Sequence, residues 1–173
     1  MSRLSVAVLC FALAGAGCGS NSPTGPAPPL IPTFTFGLST ANEVPAITNA
    51  EAGATGNVTI RLNLTRDAAG VLTAATVDFT CTLAGFPATT NITAAHIHEA
   101  AAGVNAGVRI STGLANGEVA LVGGAGNFTK NGVNVTDLTI VQRMLDNASG
   151  FYFNVHSTLN PGGVVRAQLV RTQ

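Results

Sequence analysis

Asn57-Val58-Thr59-Ile60-Arg61-Leu62-Asn63-Leu64-Thr65 alternates polar and apolar residues without a break. Successive side chains of an extended strand leave by opposite faces, so Val58, Ile60, Leu62 and Leu64 make one apolar face and the intervening residues a polar one. That period belongs to a half-buried β-strand. Asp67-Ala68-Ala69-Gly70 then supplies a turn, and the run from Val71 to Leu83 is expected to return as the antiparallel partner. Within it Val77, Phe79, Cys81 and Leu83 share a face, which makes Cys81 a small buried hydrophobe.

The same reading extends in both directions. Phe34, Phe36 and Leu38 alternate until Asn42-Glu43-Val44-Pro45 breaks the strand. Gly85-Phe86-Pro87 and the Thr- and Asn-rich segment after it form a loop before a strand around Ala95-His96-Ile97-His98-Glu99. Gly103 and Gly107 bracket a turn into Val108-Arg109-Ile110. One helix interrupts the pattern: Thr136 or Asp137 caps it, Leu138, Val141, Met144 and Leu145 give its apolar stripe, and Asn147 to Gly150 end it. Phe151 to Ser157 and Val164 to Val170 are the last strands, and Asn160-Pro161-Gly162-Gly163 between them suits a hairpin turn. Short strands with one short helix predict an all-β fold, an antiparallel sandwich or barrel.

Length and charge narrow the function. The 173 residues suit one domain with a leader or tail, and eight basic residues balance eight acidic ones. Nothing in that balance recruits nucleic acid or an anionic membrane surface. Arg3 followed by the apolar run Leu4 to Leu13 and by Ala14-Gly15-Ala16-Gly17 reads as an export signal over 1–17. Small residues before Cys18 resemble a bacterial lipobox, so Cys18 is the expected lipidation site, although Gly15 departs from the usual Leu. Five prolines among 19–33 make residues 18–33 the anchor and a tether to a β-domain at 34–173. The expected location is the bacterial cell envelope, as an outer-membrane lipoprotein or at the cell surface. Gly19 is not the Asp that favours inner-membrane retention. The expected partners are the membrane, through the lipid, and an envelope or extracellular protein. Six Asn-x-Ser/Thr triplets read as chance products of Asn- and Thr-rich strands.

All three histidines fall in two strand segments, as His96 and His98 in one and His156 in the other. Strand parity sends His96 and His98 out of the sheet together, opposite Ile97, and puts His156 with Tyr152 and Asn154 opposite Phe151, Phe153 and Val155. The three imidazoles are therefore expected on exterior faces, converging if the strands are neighbours. Three neutral imidazoles suffice to hold copper or, second, zinc. Glu43 is the better carboxylate candidate, as a ligand or as a supporting partner, and Tyr152, Asn154 and Arg166 are the candidates to support the rings from outside the ligand set. Glu99 shares its face with Ile97 and is a poor ligand. Arg166 is expected to pair with Glu43 or Asp78, or else to guide a small anion. Asp78 and Glu118 are expected to be solvated or hydrogen-bonded. No hydrolase triad or phosphate-binding glycine loop stands out.

Four strings resemble the chordin-type (CHRD) domain. They are Leu38 through Asn42-Glu43-Val44-Pro45, then Ala95-His96-Ile97-His98, then Tyr152-Phe153-Asn154-Val155-His156-Ser157, and finally Pro161-Gly162-Gly163-Val164-Val165-Arg166-Ala167-Gln168-Leu169. In order and spacing they cover about residues 34 to 172. The resemblance implies an immunoglobulin-like or superoxide-dismutase-like β fold and carries no assigned activity. Val164 stands where that family usually has an acid, and Ala46 where it has a second proline. A fainter likeness is to copper,zinc superoxide dismutases, whose His-x-His strand and later strand histidine match His96, His98 and His156 in order. The bridging histidine and the other zinc ligands of that family have no counterpart, so the likeness permits a copper-only redox site. The expectation for function is thus a binding or structural module of the envelope, with a copper oxidoreductase as the rival.

Overall fold

The computed structural model describes residues 31–173. The expected leader, the Cys18 lipidation site and all of the tether before Ile31 lie outside the described residues. Eight strands follow one another as β1 (Thr33–Ser39), β2 (Thr55–Arg66), β3 (Leu72–Ala84), β4 (Ile92–Glu99), β5 (Val108–Ser111), β6 (Gly126–Asn134), β7 (Phe151–Ser157) and β8 (Val165–Gln168). A helix, α1 (Leu138–Asp146), sits between β6 and β7. All eight strands join one antiparallel sheet in the order β5-β4-β7-β8-β1-β2-β3-β6.

The opening stretch behaves as its pattern requires. Val58, Ile60 and Leu62 are buried on β2, which pairs along its length with β3, placing Ile60 opposite Phe79 and Arg61 opposite Asp78. The Asp67 carboxylate accepts from the Ala69 and Val71 amides at 2.9 Å each and so fixes the turn between them. Cys81 is fully buried, and burial pushes its thiol up to about 12. β7 and β8 form the expected hairpin, with Asn154 opposite Arg166.

The sheet curls until its two halves face each other. Phe79 on β3 stacks on Phe153 of β7 at 5.9 Å between ring centroids, although three strands separate them in the sheet. That face is the hydrophobic core, filled by Phe34, Ile60, Phe79, Ile92, Ile97, Phe153 and Val155. Curling is how a twisted sheet of this width covers its own apolar face.

Three expectations are corrected in detail. β6 carries no strand signature in the sequence, because Gly126-Asn127-Phe128-Thr129-Lys130-Asn131-Gly132-Val133-Asn134 has no alternation; it is an edge strand with Phe128 as its one buried residue. On α1, capped by Asp137, the buried residues are Ile140, Val141 and Met144, while Leu138 and Leu145 are only partly covered. The last strand is shorter than Val164 to Val170, since residues beyond Gln168 run on beside β1 through Thr35 and Phe34.

Candidate metal centre

The face of the sheet opposite the core is polar over one row. Ser111, His96, Asn154, Arg166 and Ser39 stand side by side across β5, β4, β7, β8 and β1. His98 and Tyr152 are paired in the next row, and His156 lies opposite Ala94. This register brings His96, His98 and His156 together. Each offers one ring nitrogen within 4.8 Å of the others.

The expectation of exterior faces is corrected here. His98 and His156 are only 5% and 8% exposed, and Asn154 and Arg166 are 1% exposed. Parity placed the rings on the right side of the sheet, but loops roof that side over. Asn42, just after β1, accepts at its carbonyl from Arg166 Nε (2.7 Å) and donates its side-chain amide to the Arg166 carbonyl (3.0 Å). Asn105, in the loop before β5, accepts from Arg166 Nη1 (2.7 Å) and donates to the Val44 carbonyl (2.7 Å), tying two loops together. At the far end Glu51 accepts from Ser157 Oγ (2.6 Å) and Thr90 Oγ1 (2.7 Å), pinning a third segment. Loop contacts of this kind leave no periodic trace in a sequence.

The roof also orients the rings. His98 Nδ1 donates to the Ala106 carbonyl at 2.9 Å, and His156 Nδ1 donates to the Pro161 carbonyl at 2.9 Å. A proton held on Nδ1 leaves the lone pair on Nε2. His98 Nε2 is buried and has no hydrogen-bond partner among the described residues. His156 Nε2 meets His96 Nδ1 at 3.0 Å. Two nitrogens about 2.0–2.1 Å from a shared ion lie about 2.9–3.4 Å apart for angles of 90–109°. That pair already has the spacing of two ligands. Closing the widest pair from 4.8 Å to a tetrahedral spacing needs about 1.4 Å of movement.

Burial keeps the rings neutral, the form that binds metals. It drives His96 down to about 4, helped by the His156 and His98 charges. His98 and His156 are lowered as well, first by burial; their bonds to Ala106 and Pro161 oppose the shift without reversing it.

The other candidates surround the rings. Tyr152 stacks on His98 at 4.7 Å with the planes 5° apart, and the Arg166 guanidinium lies 4.4 Å from the Tyr152 ring centroid. The expected ion pair of Arg166 with Glu43 or Asp78 is corrected: among the described residues no carboxylate comes within ion-pair distance of it. Asp78 instead accepts from Asn63 (2.9 Å) and the Gly132 amide (2.7 Å), and Glu118 pairs with Lys130 at 2.7 Å. Glu43 is buried beside Asn154, and burial pushes its carboxyl up to about 7 against the pull of Arg166 and Asn154. Glu99 turns away from the rings toward Arg143 (2.7 Å) and Arg109 (3.3 Å). Sequence reasoning missed Ala106 and Pro161, since carbonyl partners carry no residue-type signal.

The family model of the CHRD domain matches residues 34–169, from the first strand to the end of the last. Comparison with curated proteins and with solved structures gives no match. The fainter likeness to copper,zinc superoxide dismutases therefore gains no support from a known structure.

Proposed function

The chain belongs to the CHRD domain family, and on that premise we propose that its β-domain is a metal-binding module whose centre is His96, His98 and His156. One observation carries the reading: backbone carbonyls hold two of the rings so that the lone pair of each lies on Nε2, and while His156 Nε2 meets His96 Nδ1 at 3.0 Å, His98 Nε2 is buried without a partner. An unpaired buried acceptor costs stability, and an ion is a natural partner for it. Carbonyl-to-imidazole bonds of this kind orient metal ligands and raise their basicity. Nitrogen ligands with no thiolate favour copper over zinc in the usual order of divalent affinities. The ion would supply a strong positive charge at the centre of an otherwise neutral set of rings; the rings bind it, and the loops keep bulk water from it.

Residues 1–18 support export and lipidation at Cys18, which would carry this module at the cell envelope. Its role there is binding or structural. Labelling of the expressed full chain with palmitate tests the anchor, with label expected in the wild type and lost in Cys18→Ser. Unlabelled wild type removes the lipoprotein part alone.

For the metal, the full chain is stripped with a chelator, equilibrated with copper or zinc, dialysed and analysed for elements. About one ion per chain is expected, and none above background after His→Ala at all three positions. Equal metal in the triple variant and the wild type, or none in either, overturns the reading.

A further inference from the structure

We propose that the side-chain oxygen of Asn154 is a fourth ligand of the same ion, closing the centre to outside ligands; this rests on the metal-binding reading above. Asn154 occupies the middle of the cluster. It is paired in register with His96 and lies two residues from His156 on the same strand face. Its Oδ1 is buried and makes no hydrogen bond among the described residues, as is true of His98 Nε2. Two buried acceptors left without a donor in one cluster cost stability. A cation satisfies both at once.

The direction of the amide follows from its other end. Nδ2 donates to the Gly162 carbonyl at 3.3 Å and lies beside the Glu43 carboxylate. Gly163 has φ 134°, and a Cβ placed there would come 2.2 Å from Asn154 Nδ2 and 2.8 Å from Glu43 Oε1. The amide and the carboxylate thus fill the space that a side chain at 163 would need. Turning the amide over would set Oδ1 against two further oxygens, the Gly162 carbonyl and Glu43, so the oxygen must face the histidines. Glu43 and Gly163 are positioning residues in this arrangement.

The ligand set is then three imidazoles and one amide oxygen, all neutral. Four protein ligands are the mark of structural sites, whereas catalytic ones keep a position open. The centre therefore holds its ion and offers no place for an oxygen species or other small anion to bind.

Cobalt(II) is a suitable probe, because its visible spectrum reports coordination number and ligand exchange. The full-length wild type, loaded with cobalt, is expected to show a four-coordinate spectrum that excess azide leaves unchanged. Asn154→Ala is expected to bind cobalt at least tenfold more weakly and to change spectrum with azide. Wild-type chain that takes up no cobalt overturns the metal centre and the fourth ligand together. Wild-type chain that takes up cobalt but changes spectrum with azide overturns the Asn154 ligand alone, whether or not the variant folds. An Asn154→Ala spectrum identical to the wild type, with and without azide, does the same.

Discussion

Which nitrogen of His98 is free depends on one hydrogen bond, from Nδ1 to the Ala106 carbonyl. Removing the ring itself is a harsher change than removing a supporting group. His98→Ala and His156→Ala are each expected to lower copper affinity by more than the roughly 10–100-fold typical of a lost supporting partner, as read by competition with a chelator. Unchanged affinity in either variant would remove that ring from the ligand set. The same residues set an acid limit on the metal-free protein. His96 titrates near 4 when folded but near 6.5 when unfolded. Between those values the unfolded chain binds more protons, so this contribution to stability is lost as the pH falls through the window. Glu43 has the opposite sign. Its folded value of about 7 lies above the unfolded one near 4.3, so its contribution is lost as the pH rises from about 4.3 through 7. Glu43→Gln is therefore expected to be more stable, relative to wild type, at about pH 8 than at about pH 4 in urea unfolding. A difference independent of pH would contradict the burial assigned to that carboxyl.

Among the connecting elements, the turn between β7 and β8 does more than reverse the chain. Its Pro161 carbonyl orients His156, its Gly162 carbonyl holds Asn154, and its Gly163 leaves room for Glu43. Gly163→Ala combines a strained positive φ with a collision, and a loss of roughly 1–3 kcal/mol is expected in denaturant unfolding. It should also weaken metal binding, although residue 163 touches no ion. Wild-type stability and affinity together would show that the turn is not a cradle. The turn was legible as a hairpin from Asn160-Pro161-Gly162-Gly163, and β2 and β3 from their alternation, because period and turn chemistry are local properties. β6 was not legible, since an edge strand needs no buried alternate face. The roof over the histidines was hidden for a different reason: it is built from Asn42, Asn105 and backbone carbonyls meeting Arg166 and the rings across long stretches of chain.

The whole molecule depends on a sheet that closes over its own apolar face and leaves one polar row outside, beneath loops. Phe79 and Phe153 join the two halves of that curl, and Phe153→Ala is expected to cost about 3–5 kcal/mol. A loss under about 1 kcal/mol would mean that the halves are not packed there. Parity alone identifies which side of β4 and β7 carries the three histidines, so the clustering of these rings is legible in the sequence. The burial of His98 and His156 is not, because that side of a strand becomes interior only when distant loops lie across it. The centre thus unites two layers, the sheet that sets the spacing of the rings and the loops that set their direction. The most direct test is a crystal structure of the copper-loaded chain with an anomalous difference map at the copper edge. The account predicts one peak about 2.0–2.1 Å from a ring nitrogen of His96, His98 and His156 alike. A peak elsewhere, or one touching fewer than three of these rings, would contradict it.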